Sequence, residues 1–285
     1  MLVITGATGA LGRAIVNQLL HRVPPSTIVA SVRDPAKATD LDVQVRQADF
    51  ADPASVARAF EGATKVLIVS LPLPTHLAVP QHRTAIEAAR AAGVSRILYT
   101  SQMGADPASA FSPMHTHAAT EELLRASGVP FTALRNGFYA ASAFGMFGRG
   151  IDAGEIAAPA DGPIAWTTHA DLAEAAAIAM TSDALDGVTP PLTASAALTL
   201  DQLAAIATQV TGKPVRRVVV PDEVYRASLV ATGMPAPVAA MLAGIFEASR
   251  RGAFATTDPT LARVLGHPPI EMAAALRSRH SPTAT

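Results

Sequence analysis

The chain contains no cysteine among its 285 residues. That removes disulfides, thiol catalysis and cysteine-held metals together, and fits a reducing, cytoplasmic setting. Aromatic residues are scarce at 5%, with one tryptophan and three tyrosines. Charged residues make up 16%, and the formal net charge is −1, so nothing electrostatic invites nucleic acid. The pairs Arg216–Arg217 and Arg250–Arg251 read as solvated surface. There is no long apolar run either. Val66–Val69 is soon interrupted by Ser70 and Pro72, far short of the ~20 residues a membrane span needs. The opening Met-Leu-Val-Ile-Thr lacks a basic n-region, so no signal peptide is expected.

What is present is 49% hydrophobic residue, much of it alanine, which points to closely packed helices. Short β-branched runs near Leu2–Thr5, Thr27–Val32, Val43–Arg46, Lys65–Ser70, Arg96–Thr100 and Phe131–Leu134 predict strands. Between them lie helical patterns at Leu11–His21, Pro53–Phe60, Leu77–Ala92 and Ala118–Ala126, with Gly93 and Gly128 as helix ends. Strand–helix alternation at this spacing predicts a doubly wound parallel α/β sheet covered on both faces. After Arg135 the rhythm changes. Asn136–Gly154 reads as loop with short helices, followed by a helix at Asp171–Met180, a strand near Thr189–Ala194, a helix at Leu200–Val210 and a strand at Val215–Val220. The rest reads as helical, opened by Pro235 and Pro237 and broken by Pro268–Pro269. The expected organisation is a nucleotide-binding domain over 1–135, with sheet elements returning from later chain. A smaller α/β substrate-side domain covers 136–277, and a disordered tail covers 278–285.

Thr5-Gly6-Ala7-Thr8-Gly9-Ala10-Leu11-Gly12 spaces its glycines by three between a strand and a helix. Gly6 permits the turn, Gly9 lets the backbone approach a pyrophosphate, and Gly12 lets helix and sheet pack closely. The helix start offers free N–H groups and partial positive charge to phosphates, so Gly6, Thr8, Gly9, Ala10, Leu11 and Gly12 are expected at a dinucleotide in a Rossmann-type domain. The second strand ends Val32-Arg33-Asp34, with Lys37 one turn on. Arg33 and Lys37 suit a 2′-phosphate, which favours NADPH and leaves NADH possible. Asp34 either reaches a ribose or caps the turn before Pro35. Asp49 and Phe50 follow the third strand, where adenine is contacted, though Asp49 has a bland reading as a helix cap. Ser70, Leu71 and Pro72 follow the fourth strand beside the nicotinamide half, and Ser101, just past the fifth, is expected at the cofactor as well.

A catalytic pair is missing. Dehydrogenases of this fold that reduce simple carbonyls use a tyrosine and a lysine four residues later. The residues four after Tyr99, Tyr139 and Tyr225 are Met103, Ala143 and Leu229, and the lysines are Lys37, Lys65 and Lys213 alone. Hydride delivery to an isolated carbonyl needs an acid in place. A quinone, a cationic dye or another conjugated, electron-poor acceptor delocalises its own product charge, and then proximity and orientation suffice.

Thr5–Gly12, Val32–Lys37, Gln47-Ala48-Asp49-Phe50 and Leu134-Arg135-Asn136-Gly137-Phe138-Tyr139 together resemble the NmrA-like, atypical branch of the short-chain dehydrogenases. His117-Ala118-Ala119-Thr120-Glu121 and Leu265-Gly266-His267-Pro268 extend the likeness over nearly the whole chain. Within that branch the chain is similar to bacterial NAD(P)H:quinone oxidoreductases and triphenylmethane reductases. The resemblance implies one NADPH and a quinone-like or dye-like acceptor, and a monomer or homodimer is expected; Glu122 stands where the quinone-reductase members would place a lysine.

His117 sits near the place of the lost tyrosine and is either a donor to the reduced oxygen or a helix-surface histidine. His115 and His117 are two apart, which argues against a shared metal, and none is expected. Asn136 and Tyr139 leave the sixth strand at its ligand-binding edge, Asn136 to bond the nicotinamide amide or the acceptor, Tyr139 to wall the pocket. Phe138, Phe144, Met146, Phe147 and Trp166 line a flat acceptor or form core. Thr168-His169-Ala170-Asp171 reads as a helix start. Two functions stand: an NADPH-dependent reductase of conjugated acceptors, or a redox sensor that binds NADP(H) without turnover. A reductase of one biosynthetic intermediate would share the first chemistry. An epimerase normally needs the absent tyrosine.

Overall fold

A computed structural model describes residues 1–280. Along the chain the strands are β1 Leu2–Thr5, β2 Ile28–Val32, β3 Gln44–Gln47, β4 Lys65–Ile68, β5 Arg96–Gln102, β6 Phe131–Asn136, β7 Phe138–Tyr139, β8 Glu155–Ala158, β9 Trp166–Thr167, β10 Gly187–Val188 and β11 Arg216–Val219. The helices are α1 Ala10–Leu20, α2 Pro53–Ala59, α3 Thr75–Ala91, α4 Pro113–Ala126, α5 Ala140–Ala153, α6 His169–Thr181, α7 Leu200–Thr211, α8 Asp222–Ala231, α9 Ala236–Arg250, α10 Thr260–Leu265 and α11 Met272–His280.

Two units divide the chain. The first takes Met1–Pro107, Pro113–Asn136 and His169–Pro190. Its sheet runs β10-β6-β5-β4-β1-β2-β3, with every pairing parallel. Strand order reverses between β1 and β4, and sheets of this kind bind ligands outside the carboxyl ends of the strands at that point. Val3, Val29, Val66, Ile68, Ile97 and Tyr99 turn to one face, against Val56 of α2 and Phe60 just past its end, Ile86 and Ala89 of α3 and Leu124 of α4. The alternate residues Ile4, Ala30, Leu67 and Leu98, also buried, point to the other face, where α1 packs on α6. Six alanines of α6 let that approach be close; Ala173, Ala175, Ala176, Ala177 and Ala179 are fully or almost fully buried.

The second unit takes Ala108–Ser112, Gly137–Thr168 and the described residues from Pro191 on. It holds two small parallel ribbons, β8 with β11 and β7 with β9. Phe111, Phe138, Trp166 and Phe254 form an aromatic cluster, with Phe138 5.2 Å from Trp166 and 5.0 Å from Phe254 between ring centroids.

Four expectations are corrected. Asn136–Gly154 is a short strand and the 14-residue helix α5, not loop. The strand expected near Thr189–Ala194 is β10, two residues earlier and paired with β6, so it closes the large sheet. The later chain returns to the first unit with helix α6 as well as the sheet element β10, and Ala108–Ser112, inside the expected boundary, lies in the second. Of the tail expected over 278–285, residues 278–280 complete α11, and 281–285 lie outside the described residues.

Candidate functional site

At the carboxyl end of β1, Gly6 takes φ +61° and accepts the Gly9 N–H at 2.9 Å. Arg13 N–H, bonded to the Gly9 carbonyl at 2.9 Å, starts the ladder of α1, so the amides of Ala10, Leu11 and Gly12 have no intrahelical acceptor. No side chain caps this helix and its first turn carries no acid. A Cβ on Gly12 would fall 2.8 Å from the Gly6 carbonyl carbon and 3.1 Å from Ala7 Cα, so only glycine allows this contact. Gly6, Gly9 and Ala10 are exposed and Thr8 half-buried, whereas Leu11 is buried and offers its backbone alone.

Arg33 and Lys37 are both exposed at the end of β2. Asp34 accepts the Ala36 N–H at 3.1 Å and so caps the turn Pro35–Ala38; of its two open roles this is the one observed. The sequence reading missed Arg13. Its guanidinium bonds the Asp40 carboxylate and, at 3.1 Å, the Lys37 carbonyl, tying the first turn of α1 to the segment that carries Lys37. Asp49 accepts the Ala51 N–H at 2.9 Å and gives its own N–H to Ser55 at 3.0 Å. It does not cap α2; Asp52 does, through Ala54 N–H at 3.1 Å. Phe50 is buried in the core beneath.

Beyond β4 the main chain is held by side chains. Val69 N–H donates to Thr5 Oγ1 at 2.9 Å, Ser70 N–H to Thr100 Oγ1 at 2.9 Å, and Leu71 N–H to His82 Nε2 at 3.0 Å. Pro72 follows, exposed. His82 Nδ1 lies 2.9 Å from Thr120 Oγ1, whose hydroxyl donates to the Thr116 carbonyl at 2.7 Å. Tyr99 Oη reaches Ser70 Oγ at 3.2 Å and His117 Nδ1 at 2.9 Å. Burial pushes His117 down to about 4; burial, with a smaller contribution from His117, pushes His82 down to about 3. Both rings are neutral at pH 7. His117 is thus a neutral, hydrogen-bonding imidazole linked through Tyr99 to the Ser70 side chain.

Ser101 is 1% exposed and turned inward, its hydroxyl donating to Glu121 at 2.7 Å. The cofactor contact expected of it is therefore not the role its side chain has here. Glu121, also 1% exposed, takes two further bonds from Arg135, at 3.0 and 2.8 Å, and one from Arg125 at 3.3 Å. Glu122 is exposed and pairs with Arg125. Next to this ion pair, Asn136 ends β6 in register with Gln102 and is 2% exposed. Its Oδ1 is buried without a hydrogen-bond partner, an acceptor that asks for a donor. Tyr139 belongs to the second unit, half-buried in β7 opposite Thr167. There Phe138, Phe147 and Trp166 are core, while Phe144 and Met146 are half-buried on α5. Among the described residues no helix is long and apolar enough to cross a membrane, and no three His, Cys, Asp or Glu side chains gather as a metal would need.

These residues fit a dinucleotide. Uncapped amides over a glycine-only contact suit a pyrophosphate, two exposed cations at β2 suit a 2′-phosphate, and the orphaned Asn136 acceptor suits a carboxamide NH₂. The model of the NmrA-like family matches residues 1–276. The chain belongs to the NmrA-like family. Within it, the chain is 39% identical over 277 residues to Quinone oxidoreductase 2 of Escherichia coli, covering 96% of each. The crystal structure of an NADPH-dependent quinone oxidoreductase from Escherichia coli, complexed with NADPH, superposes at a TM-score of 0.93 and 36% identity over 99% of this chain and 100% of that one. The Citrobacter triphenylmethane reductase complexed with NADP(H) does so at 0.90 and 34%, over 98% and 99%. In this NmrA-like chain an uncapped helix start follows the glycine turn after β1, beside the strand reversal.

Proposed function

We propose that the protein is an NADPH-dependent reductase that passes hydride to a quinone or a similar conjugated acceptor. The observation that carries this reading is the run of open amides at the start of α1, above the Gly6–Gly12 contact, with Arg33 and Lys37 exposed at the neighbouring strand end. Likeness to quinone and triphenylmethane reductases supports the acceptor class.

The amides of Ala10, Leu11 and Gly12 hold the pyrophosphate, and Arg33 and Lys37 hold the 2′-phosphate. Asp49 and the backbone at Phe50 flank the adenine. Ser70, Leu71 and Pro72 lie along the nicotinamide half, and Asn136 Oδ1 accepts from its carboxamide. Bound NADPH supplies the hydride, and a quinone that receives it takes a proton to become the hydroquinone. The chain need not provide that proton from a strong acid, because the product charge is delocalised and water can supply it. Neutral His117 can hydrogen-bond the acceptor oxygen, which fits the absence of a Tyr–Lys pair. The cytoplasm is the compartment this reading goes with, as does the absence of cysteine.

The test is nicotinamide oxidation by the purified protein, NADPH against NADH, with benzoquinones, a triphenylmethane dye and simple ketones. Turnover of quinone or dye with NADPH and none with ketones is expected. Tight NADPH binding with no turnover on any of them would replace the enzyme with the NADP(H)-sensing reading.

A further inference from the structure

We propose that His82 is a positioning residue for the nicotinamide side of the site: from inside the fold it fixes the main chain of Ser70 and Leu71 beside the β1–β4 reversal. The inference rests on the NADPH reading above and adds a residue that cannot itself touch a ligand, since His82 is fully buried.

Backbone pairing of β4 ends at Ile68. The next three amides are taken by side chains from three different elements: Thr5 of β1, Thr100 of β5 and His82 of α3. The first two come from strands that flank β4 in the sheet. By Leu71 the sheet has no neighbour left to offer, and the acceptor must reach in from a helix. His82 does so with every proton accounted for. Nε2 accepts from Leu71, so Nδ1 carries the hydrogen and donates to Thr120 Oγ1, which donates onward to the Thr116 carbonyl. Burial keeps the ring neutral, as this chain of bonds requires.

A stability role alone does not account for this residue. His82 stands on the apolar stripe Ala78, Ala85, Ile86 and Ala89 of α3, where an aliphatic side chain would bury without desolvating polar atoms. What histidine adds is the bond to Leu71. With the amides of residues 69–71 drawn inward, the main chain there can offer a ligand its carbonyl oxygens, which suit ribose hydroxyls and a carboxamide NH₂.

The experiment compares the full-length protein with His82→Leu, His82→Gln and Thr120→Val. Each is titrated with NADPH, read by the emission and anisotropy of the bound nicotinamide, and then assayed with a benzoquinone at saturating NADPH. His82→Leu should bind NADPH within about threefold of the parent, because the adenine and phosphate contacts remain. Its bound-nicotinamide emission should fall by about half, and turnover by about tenfold or more, as the ring is laid less accurately. Glutamine keeps one acceptor and one donor, so His82→Gln should restore both. If His82→Leu does not fold, Thr120→Val decides. It frees the ring while leaving the Leu71 bond, and should lower emission and turnover in the same direction. Unchanged emission and turnover, or a loss confined to affinity, would overturn the proposal. A parent protein without quinone turnover would end the enzyme reading, and the emission comparison alone would then judge His82.

Discussion

Gly12 lies so close against Gly6 that a Cβ at position 12 would stand 2.8 Å from the Gly6 carbonyl carbon. The neighbour is backbone and cannot swing aside. This contact seats the first turn of α1 on the glycine turn after β1, where the amides of Ala10, Leu11 and Gly12 stand open. Gly12→Ala should therefore push the helix start away from the turn. NADPH affinity should fall at least about tenfold, about 1.4 kcal/mol, in a fluorescence titration. Affinity within a factor of about two of the parent would show that the amides do not hold the phosphates.

Arg33 decides between cofactors if its guanidinium meets a 2′-phosphate. It is exposed at the end of β2, and Gln47 braces its carbonyl at 3.1 Å. Arg33→Ala removes a charge-assisted bond of about 1.5–3 kcal/mol, so NADPH should weaken by roughly 10- to 100-fold while NADH barely changes. Equal weakening of both in parallel titrations would move the 2′-phosphate elsewhere.

The first half of the fold was legible because its strands are buried β-branched runs closed by glycine turns. Sequence reading placed β1, β2 and β4 to within a residue or two. Helix α5 was not legible. Its buried stripe, Ala140, Ala143, Phe147 and Ile151, does carry the helical period, but Gly145, Gly148 and Gly150 mask it. Gly150 is there because the Glu155 carbonyl packs onto it, a partner no local pattern announces. The glycine turn after β1 and the exposed cations at β2 were readable for the opposite reason: their spacing is local. The supports behind them were not. Ser101 reads as a strand-end hydroxyl and is occupied by Glu121, twenty residues on. His82 did leave a trace, a polar residue on an apolar helical stripe, but its partner Leu71 is fixed only by tertiary packing.

The Glu121–Arg135 pair should matter to stability more than its small size suggests. Glu121 is 1% exposed and receives Ser101, Arg135 and Arg125. Removing Arg135 leaves a buried carboxylate with a weaker set of donors, a change that costs about 3 kcal/mol in such pairs. Arg135→Met should lower the urea midpoint accordingly with an unchanged slope. Arg135→Lys should recover only part, since lysine cannot match the two-oxygen grip. A loss under about 0.5 kcal/mol would mean that Arg125 and Ser101 suffice.

His117 and His82 fix how the protein should respond to acid. Both fall below the ordinary histidine value, to about 4 and about 3, because burial disfavours the charged ring. The unfolded chain takes up these protons near pH 6.5 and the folded chain does not, so folded stability is fully present above that pH. It should be lost progressively as pH falls through about 4 for His117 and about 3 for His82. Thermal melts should drop steeply below about pH 6, and His82→Gln should flatten part of that drop. Catalysis should behave differently over the neutral range, where His117 stays uncharged. The kcat/KM profile with a quinone should show no inflection between about pH 6 and 8 that depends on His117. An inflection there that vanishes in His117→Gln would mean that the ring titrates in the working enzyme and delivers a proton as imidazolium.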